Sequence, residues 1–303
     1  MVRYIFCLFV FIIATANSFS QSQIERFLKP SDTLNPSRRT AVYISEAAIG
    51  GLTLIGLHQL WYADYEQSRF HTINDNNEWL QMDKVGHVYA SYQLGRLGAS
   101  ALQWSGASRN EQLLYGAKLG FTFLTAVEVL DGFSKEWGFS WGDMAANVAG
   151  SGIYIGQELL WEEQRITLKY SFHQTRYAQL QPTKLGNGLT EEFLKDYNGQ
   201  TYWLSFNLQS FFKTEHIPKW LNVALGYGAD GMLFDNPESH SSLDASKNRM
   251  RQYYLSLDVD LTRIETKSPL LRSVFEVLNL IKVPLPTVEF NGKKGLKLHG
   301  VYF

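Results

Sequence analysis

The sequence predicts an α+β fold: a glycine-rich bundle of about four helices followed by an antiparallel sheet. That sheet either packs curved on the helices or curls into a partial, barrel-like form. Three observations carry this. Long apolar and small-residue stretches fill the first half of the chain. The apolar period switches from 3.6 to 2 near Arg165. Turn-rich polar segments such as Asp235–Asn248 separate the alternating stretches.

The 303-residue chain begins with Met1-Val2-Arg3 and the apolar run Tyr4–Ala16. That run is too short to cross a bilayer comfortably. Ser18 and Ser20 suit cleavage before Gln21, so residues 1–20 read as a secretory signal peptide. The single cysteine, Cys7, lies within that run. The mature chain would then lack disulfides, thiolate catalysis and cysteine-held metal. Charged residues make up 19% of the sequence and the formal net charge is -1. No basic excess points to nucleic acid.

The remaining chain divides at the period switch into a helical unit, 21–164, and a β region, 165–303. Four helices are expected, at about Thr40–Tyr62, Lys84–Trp104, Asn110–Leu130 and Gly142–Glu163. Ser108 is a cap for the third, and Ser140 or Asp143 for the fourth. Their many glycines allow close helix approach. Strict alternation then marks strands around Ile166–Phe172, Tyr202–Leu208, Leu221–Tyr227 and Tyr253–Leu261. One helix is expected near 269–281. Closing strands follow at Thr287–Phe290 and Leu296–Phe303, ending on an aromatic as outer-membrane barrels do. About six strands are visible, fewer than single-chain membrane barrels use. Trp203, Trp220, Tyr253 and Tyr254 are either ordinary sheet core or a membrane girdle or partner interface.

Ionisable groups interrupt the helices at three places. Asp83 and His87 are four residues apart and share a face, with Lys84 beside them. Asp83 alone could be a helix cap; His87 could not. Glu128 and Asp131 sit three apart near a helix C-terminus, where carboxylates are unfavourable. Asp143 and Asn147 share a face, and Gly150 one turn on admits a close backbone or ligand. We expect Asp83, Lys84, His87, Glu128, Asp131, Asp143, Asn147 and Gly150 to form one interior polar site. It could be a structural charge network, a metal site or a catalytic centre. No sharp metal motif is present, so neither metal nor cofactor is named.

At these residues the sequence resembles a known family. "DKVGHVYASY" followed by "EVLDGFSKEWGFSWGDMAANVAGSG" resembles the YfiM-like lipoproteins, a family of unknown function. More distantly it is similar to the VanZ-like membrane proteins, whose motifs read DKxxH, a Glu, then DxxxNxxG. The resemblance spans about residues 83–156 and makes the eight site positions its signature. It implies a helical, envelope-located protein and no established reaction. Bacterial lipoprotein members carry a lipidated cysteine after the signal, which this mature chain would lack. Membrane contact would then fall to the C-terminal strands.

The expected protein is an exported envelope protein of a Gram-negative bacterium, in the periplasm or at the outer membrane. Its buried polar site is structural or ligand-binding. One alternative is a hydrolase acting on an envelope lipid or glycan, with His87 as acid/base and Glu128 or Asp131 as orienter or metal ligand. The other is an assembly or partner-binding protein. A membrane surface, and in the last case a protein, are the expected partners.

Overall fold

The structure is a computed structural model that describes residues 21–63, 65–236 and 248–303. Residues 1–20, where a signal peptide is expected, and most of the Asp235–Asn248 turn lie outside the described residues. The fold is α+β, with a helical unit packed against one end of a six-stranded antiparallel sheet.

Helix α1 spans Gln21–Leu28 and α2 spans Pro36–Leu57. Asn35 caps α2 by accepting the Arg38 N–H, with Pro36 in the first turn where its missing donor costs nothing. A π-turn, His58–Tyr62, follows. Helix α3, Met82–Trp104, is the central element. The third expected helix is broken: a short turn capped by Ser108 passes through a π-turn at Gln112–Gly116 before α4, Leu119–Asp131. The break lies where two backbones nearly touch. A Cβ on Gly98 would stand 2.6 Å from the Gly116 carbonyl oxygen. Helix α5, Trp141–Trp161, closes the bundle. By length and composition alone, Pro36–Tyr62 and Arg109–Asp131 are apolar enough to cross a membrane.

Glycine sets the helix spacing. A Cβ on Gly120 would meet the Ser91 carbonyl oxygen at 2.1 Å, and one on Gly150 the Val88 carbonyl oxygen at 2.2 Å. Gly150 therefore admits a neighbouring backbone, that of α3. Tyr92, Ala99, Ala117, Tyr154 and Leu168 form the core beneath these contacts.

The sheet is a meander in chain order: β3 Ile166–Phe172, β4 Gln200–Asn207, β5 Leu221–Asp230, β6 Met250–Val259, β7 Leu285–Asn291 and β8 Gly295–Tyr302. A separate two-stranded sheet pairs β1, Thr72–Ile73, with β2, Phe139–Ser140, in parallel. Helix α6, Pro269–Leu278, lies between β6 and β7. Among the described residues no hydrogen-bonded pairing joins β8 back to β3, so the sheet is open rather than a closed barrel. It curls nonetheless: the Tyr302 hydroxyl of β8 meets the Tyr254 hydroxyl of β6 at 2.9 Å and the Thr201 hydroxyl of β4 at 3.0 Å. Six strands do not close because the β3 edge is already occupied. Tyr170 N–H donates to the Leu280 carbonyl, and Lys282 N–H to that of Tyr170.

The inner face of the sheet is polar. Lys169 and Asp258, both fully buried, pair at 2.8 Å, and the Ser205 hydroxyl donates to the same carboxylate. The four marked aromatics divide between the faces. Trp203 and Tyr254 are buried inside, whereas Trp220 and Tyr253 are exposed.

Gly150→Val should cost about 3 kcal/mol or more, because a branched side chain must force two helix backbones apart. Gly152→Ala, where a Cβ meets nothing within 4 Å, should be neutral or stabilise by up to about 1 kcal/mol. Thermal melts followed by circular dichroism would separate the two.

Candidate functional site

Helix α3 starts from an unusual turn. Trp79, Leu80 and Gln81 have φ of 45°, 52° and 64°. Three successive left-handed residues cost about 1–2 kcal/mol each. The β region holds them in place. The Tyr227 hydroxyl donates to the Leu80 carbonyl, and Trp79 N–H to the Asp235 carbonyl. Met82 is buried against Ala229 and Met232. The turn aims the first residues of α3 at α5.

Asp83 does not cap α3; Gln81 holds the cap position with no side-chain capping bond. The Asp83 carboxylate instead accepts the Tyr197 hydroxyl at 2.8 Å and the Lys84 ammonium at 3.2 Å. Lys84 also reaches Asp75 Oδ2 at 2.7 Å and Asp143 at 2.9 Å. Ser140 caps α5 by accepting the Asp143 N–H, which leaves the Asp143 carboxylate free for Lys84. The Ser140 hydroxyl donates to Asp75 Oδ1 at 2.6 Å, and its N–H to Glu128 Oε2 at 3.0 Å.

His87 Nδ1 meets Asn147 Oδ1 at 3.0 Å. With an amide oxygen as partner, Nδ1 carries the proton, and the lone pair of the neutral ring lies on Nε2. That atom faces three carboxylate oxygens: Glu128 Oε1 at 3.7 Å, Asp83 Oδ1 at 3.8 Å and Asp143 Oδ1 at 3.8 Å. These separations exceed hydrogen-bond range. Glu128 and Asp143 are nearly sealed from solvent, with side chains 2% and 5% exposed. The Asn147 Nδ2 atom is buried without a partner.

The structure thus brings Asp83, Lys84, His87, Glu128, Asp143 and Asn147 together. Asp131 stands one step back, accepting the Tyr62 hydroxyl at 2.6 Å rather than His87. Gly150 serves the helix contact described above. Asp75, Ser140, Tyr62 and Tyr197 were missed by sequence reasoning. Ser140 was visible only as a cap. Asp75 lies in a polar loop, where one more carboxylate carries no periodic signal.

Four carboxylates, Asp75, Asp83, Glu128 and Asp143, face one ammonium and one imidazole. Burial pushes Glu128 up to about 8, against the pull of His87. Burial, reinforced by the Asp83 charge, pushes Asp143 up to about 7. Burial disfavours the His87 imidazolium, but Asp83, Asp143 and Glu128 outweigh that and raise its pKa. Burial likewise opposes charge on Asp83 and Lys84. The adjacent opposite charges win in both, lowering Asp83 and raising Lys84.

Residues 73–156 match a family described as predicted periplasmic lipoprotein (DUF2279). A periplasmic lipoprotein is an exported envelope protein, so the match puts this chain in that class, in the periplasm or at the outer membrane of a Gram-negative cell. Comparison with curated proteins and with solved structures finds no match.

The shifted groups set a pH dependence. Above about pH 5 the unfolded chain has released its carboxyl protons. The folded chain still holds those of Glu128 and Asp143, up to about 8 and about 7. Folding therefore takes up protons in this window, and stability falls as pH rises through it. His87, also raised, acts in the same direction. Asp83, lowered, loses its contribution only as pH falls through the acid range. In chelator, Tm should drop steadily from about pH 5 to about pH 8, and Glu128→Gln should flatten that slope. A flat wild-type profile would contradict the assignment.

Proposed function

We propose that this chain is an exported envelope protein whose helical unit binds a divalent cation at a buried centre. The proposed ligands are His87, Asp83, Glu128 and Asp143. One observation carries this reading: the His87 lone pair and three carboxylate oxygens converge from three elements at 3.7–3.8 Å. Without a metal, protons raised in pKa on His87, Glu128 and Asp143 hold these groups together; a bound cation would replace those protons and engage the Nε2 lone pair. His87, Asp83 and Asp143 offer ligand atoms that all lie within 4.8 Å of one another, and Glu128 adds an oxygen on the His87 side. One imidazole with three carboxylates suits Mn(II) or Zn(II). Asn147 orients the ring through Nδ1, as outer partners of metal-bound histidines do. Lys84 neutralises the far side of the cluster and anchors Asp75 and Asp143.

The narrower YfiM-like resemblance fits this reading, since its signature positions supply the ligands and their supports. The hydrolytic alternative would use the same ion to activate water beside His87. Its orienting residue would be Asn147, because Asp131 is engaged by Tyr62.

Metal-stripped full chain titrated with Mn(II) or Zn(II) by calorimetry should show one-to-one binding. Asn147→Ala should weaken it about 10–100-fold, and Asp143→Asn or His87→Gln should weaken it more. A folded wild type that takes up neither ion would reject the proposal.

A further inference from the structure

The β region turns its faces the opposite way from a soluble sheet. Its inner face holds Lys169, Ser205, Asn222, Ser256, Asp258 and Glu289, all buried. Its outer face is apolar and ordered in rows. The register aligns Leu204, Leu225, Leu255, Val288 and Leu298 across five strands. Leu225, Leu255 and Leu298 are 48%, 50% and 73% exposed. On one side of this aliphatic row the register places Tyr253 and Phe290, 49% and 55% exposed; the next in that row, Tyr227, is half-buried against the start of α3. Beyond its other side, at the β4–β5 turn, stand Phe211, Phe212 and Trp220, each at least 41% exposed. The β7–β8 turn carries Lys293 and Lys294, the latter 3.7 Å from Asp230; Lys297 pairs across from Glu289 and so belongs to the inner face.

We propose that this outer face lies on a phospholipid bilayer. The aliphatic row sits deepest, the two aromatic groups lie at headgroup level, and the turn lysines meet anionic headgroups. This rests on the envelope location argued above and is independent of the cation centre. Aliphatic residues between aromatic belts follow the layering of a membrane interface. A protein partner imposes no such order. The lysines complement anionic lipid. The contiguous exposed apolar surface itself marks an interaction face. The sheet rests on the bilayer rather than crossing it, because the free edge of β8 would leave unpaired amides in hydrocarbon.

The test floats purified full chain with phosphatidylethanolamine–phosphatidylglycerol vesicles on a density gradient. Wild type should float with them. The double variant Leu255→Lys/Leu298→Lys should fall in the floated share about tenfold or more, with an unchanged far-ultraviolet spectrum and unchanged Mn(II) titration. Screening with salt should weaken wild-type binding through the lysines. Failure of wild type to float, or equal flotation of the variant, would overturn the proposal. So would a stable wild-type dimer in light scattering that the same substitutions dissociate, since a second copy would then cover the face. Loss of Mn(II) binding with intact flotation would reject the cation centre and leave the membrane face standing.

Discussion

The helical unit depends on one ammonium group. Lys84 draws together a carboxylate from the loop before α3, one from its own first turn and one from the first turn of α5. The α5 segment lies far in sequence from the other two, and each of the three carries negative charge. Without a cation among them, desolvated like charges would drive them apart. Burial lowers the tendency of Lys84 to stay charged, yet its three neighbours raise its pKa. The ammonium therefore persists wherever the fold does. It satisfies one flank of the acidic cluster and leaves the other flank, around His87 Nε2, to a proton or a metal.

The β region does more than follow the helices. Its Tyr227 hydroxyl and Ala229–Met232 core hold the left-handed turn that launches α3. The Tyr197 hydroxyl binds Asp83 directly. A Cβ on Gly86, within the first turns of α3, would come 2.8 Å from the Tyr202 hydroxyl. The first turns of α3, which carry Asp83 and His87, are thus packed against residues beyond 190. Strain at Trp79–Gln81 is tolerable because tertiary bonds over-determine it, a pattern typical of positioned functional residues.

Much of this was legible in the sequence, for identifiable reasons. Alternation revealed the strands because the period-2 pattern of Tyr253–Val259 has no helical equivalent. Asp83, His87, Glu128, Asp143 and Asn147 stood out because each interrupts an apolar or small-residue helix. Alternation is symmetric, however, and does not say which face is inside. Trp203 and Tyr253 sit in equally regular strands, yet one is 1% and the other 49% exposed. Asp75 was invisible for a different reason. Its contribution depends on a loop brought beside Lys84 and Ser140 by tertiary structure alone.

The two units share one principle. In each, buried polar groups make specific pairs inside: Lys84 with its carboxylates in the bundle, Lys169 with Asp258 in the sheet. In each, large apolar side chains remain on the surface, Ile44, Ile49 and Leu52 on α2 as well as Leu255 and Leu298 on the sheet. A chain stabilised chiefly by withdrawing apolar surface from water would bury those residues first. Leaving them exposed while enclosing ion pairs is costly in water. It is favourable where an apolar medium covers the outside, which is the setting proposed above for the outer face of the sheet.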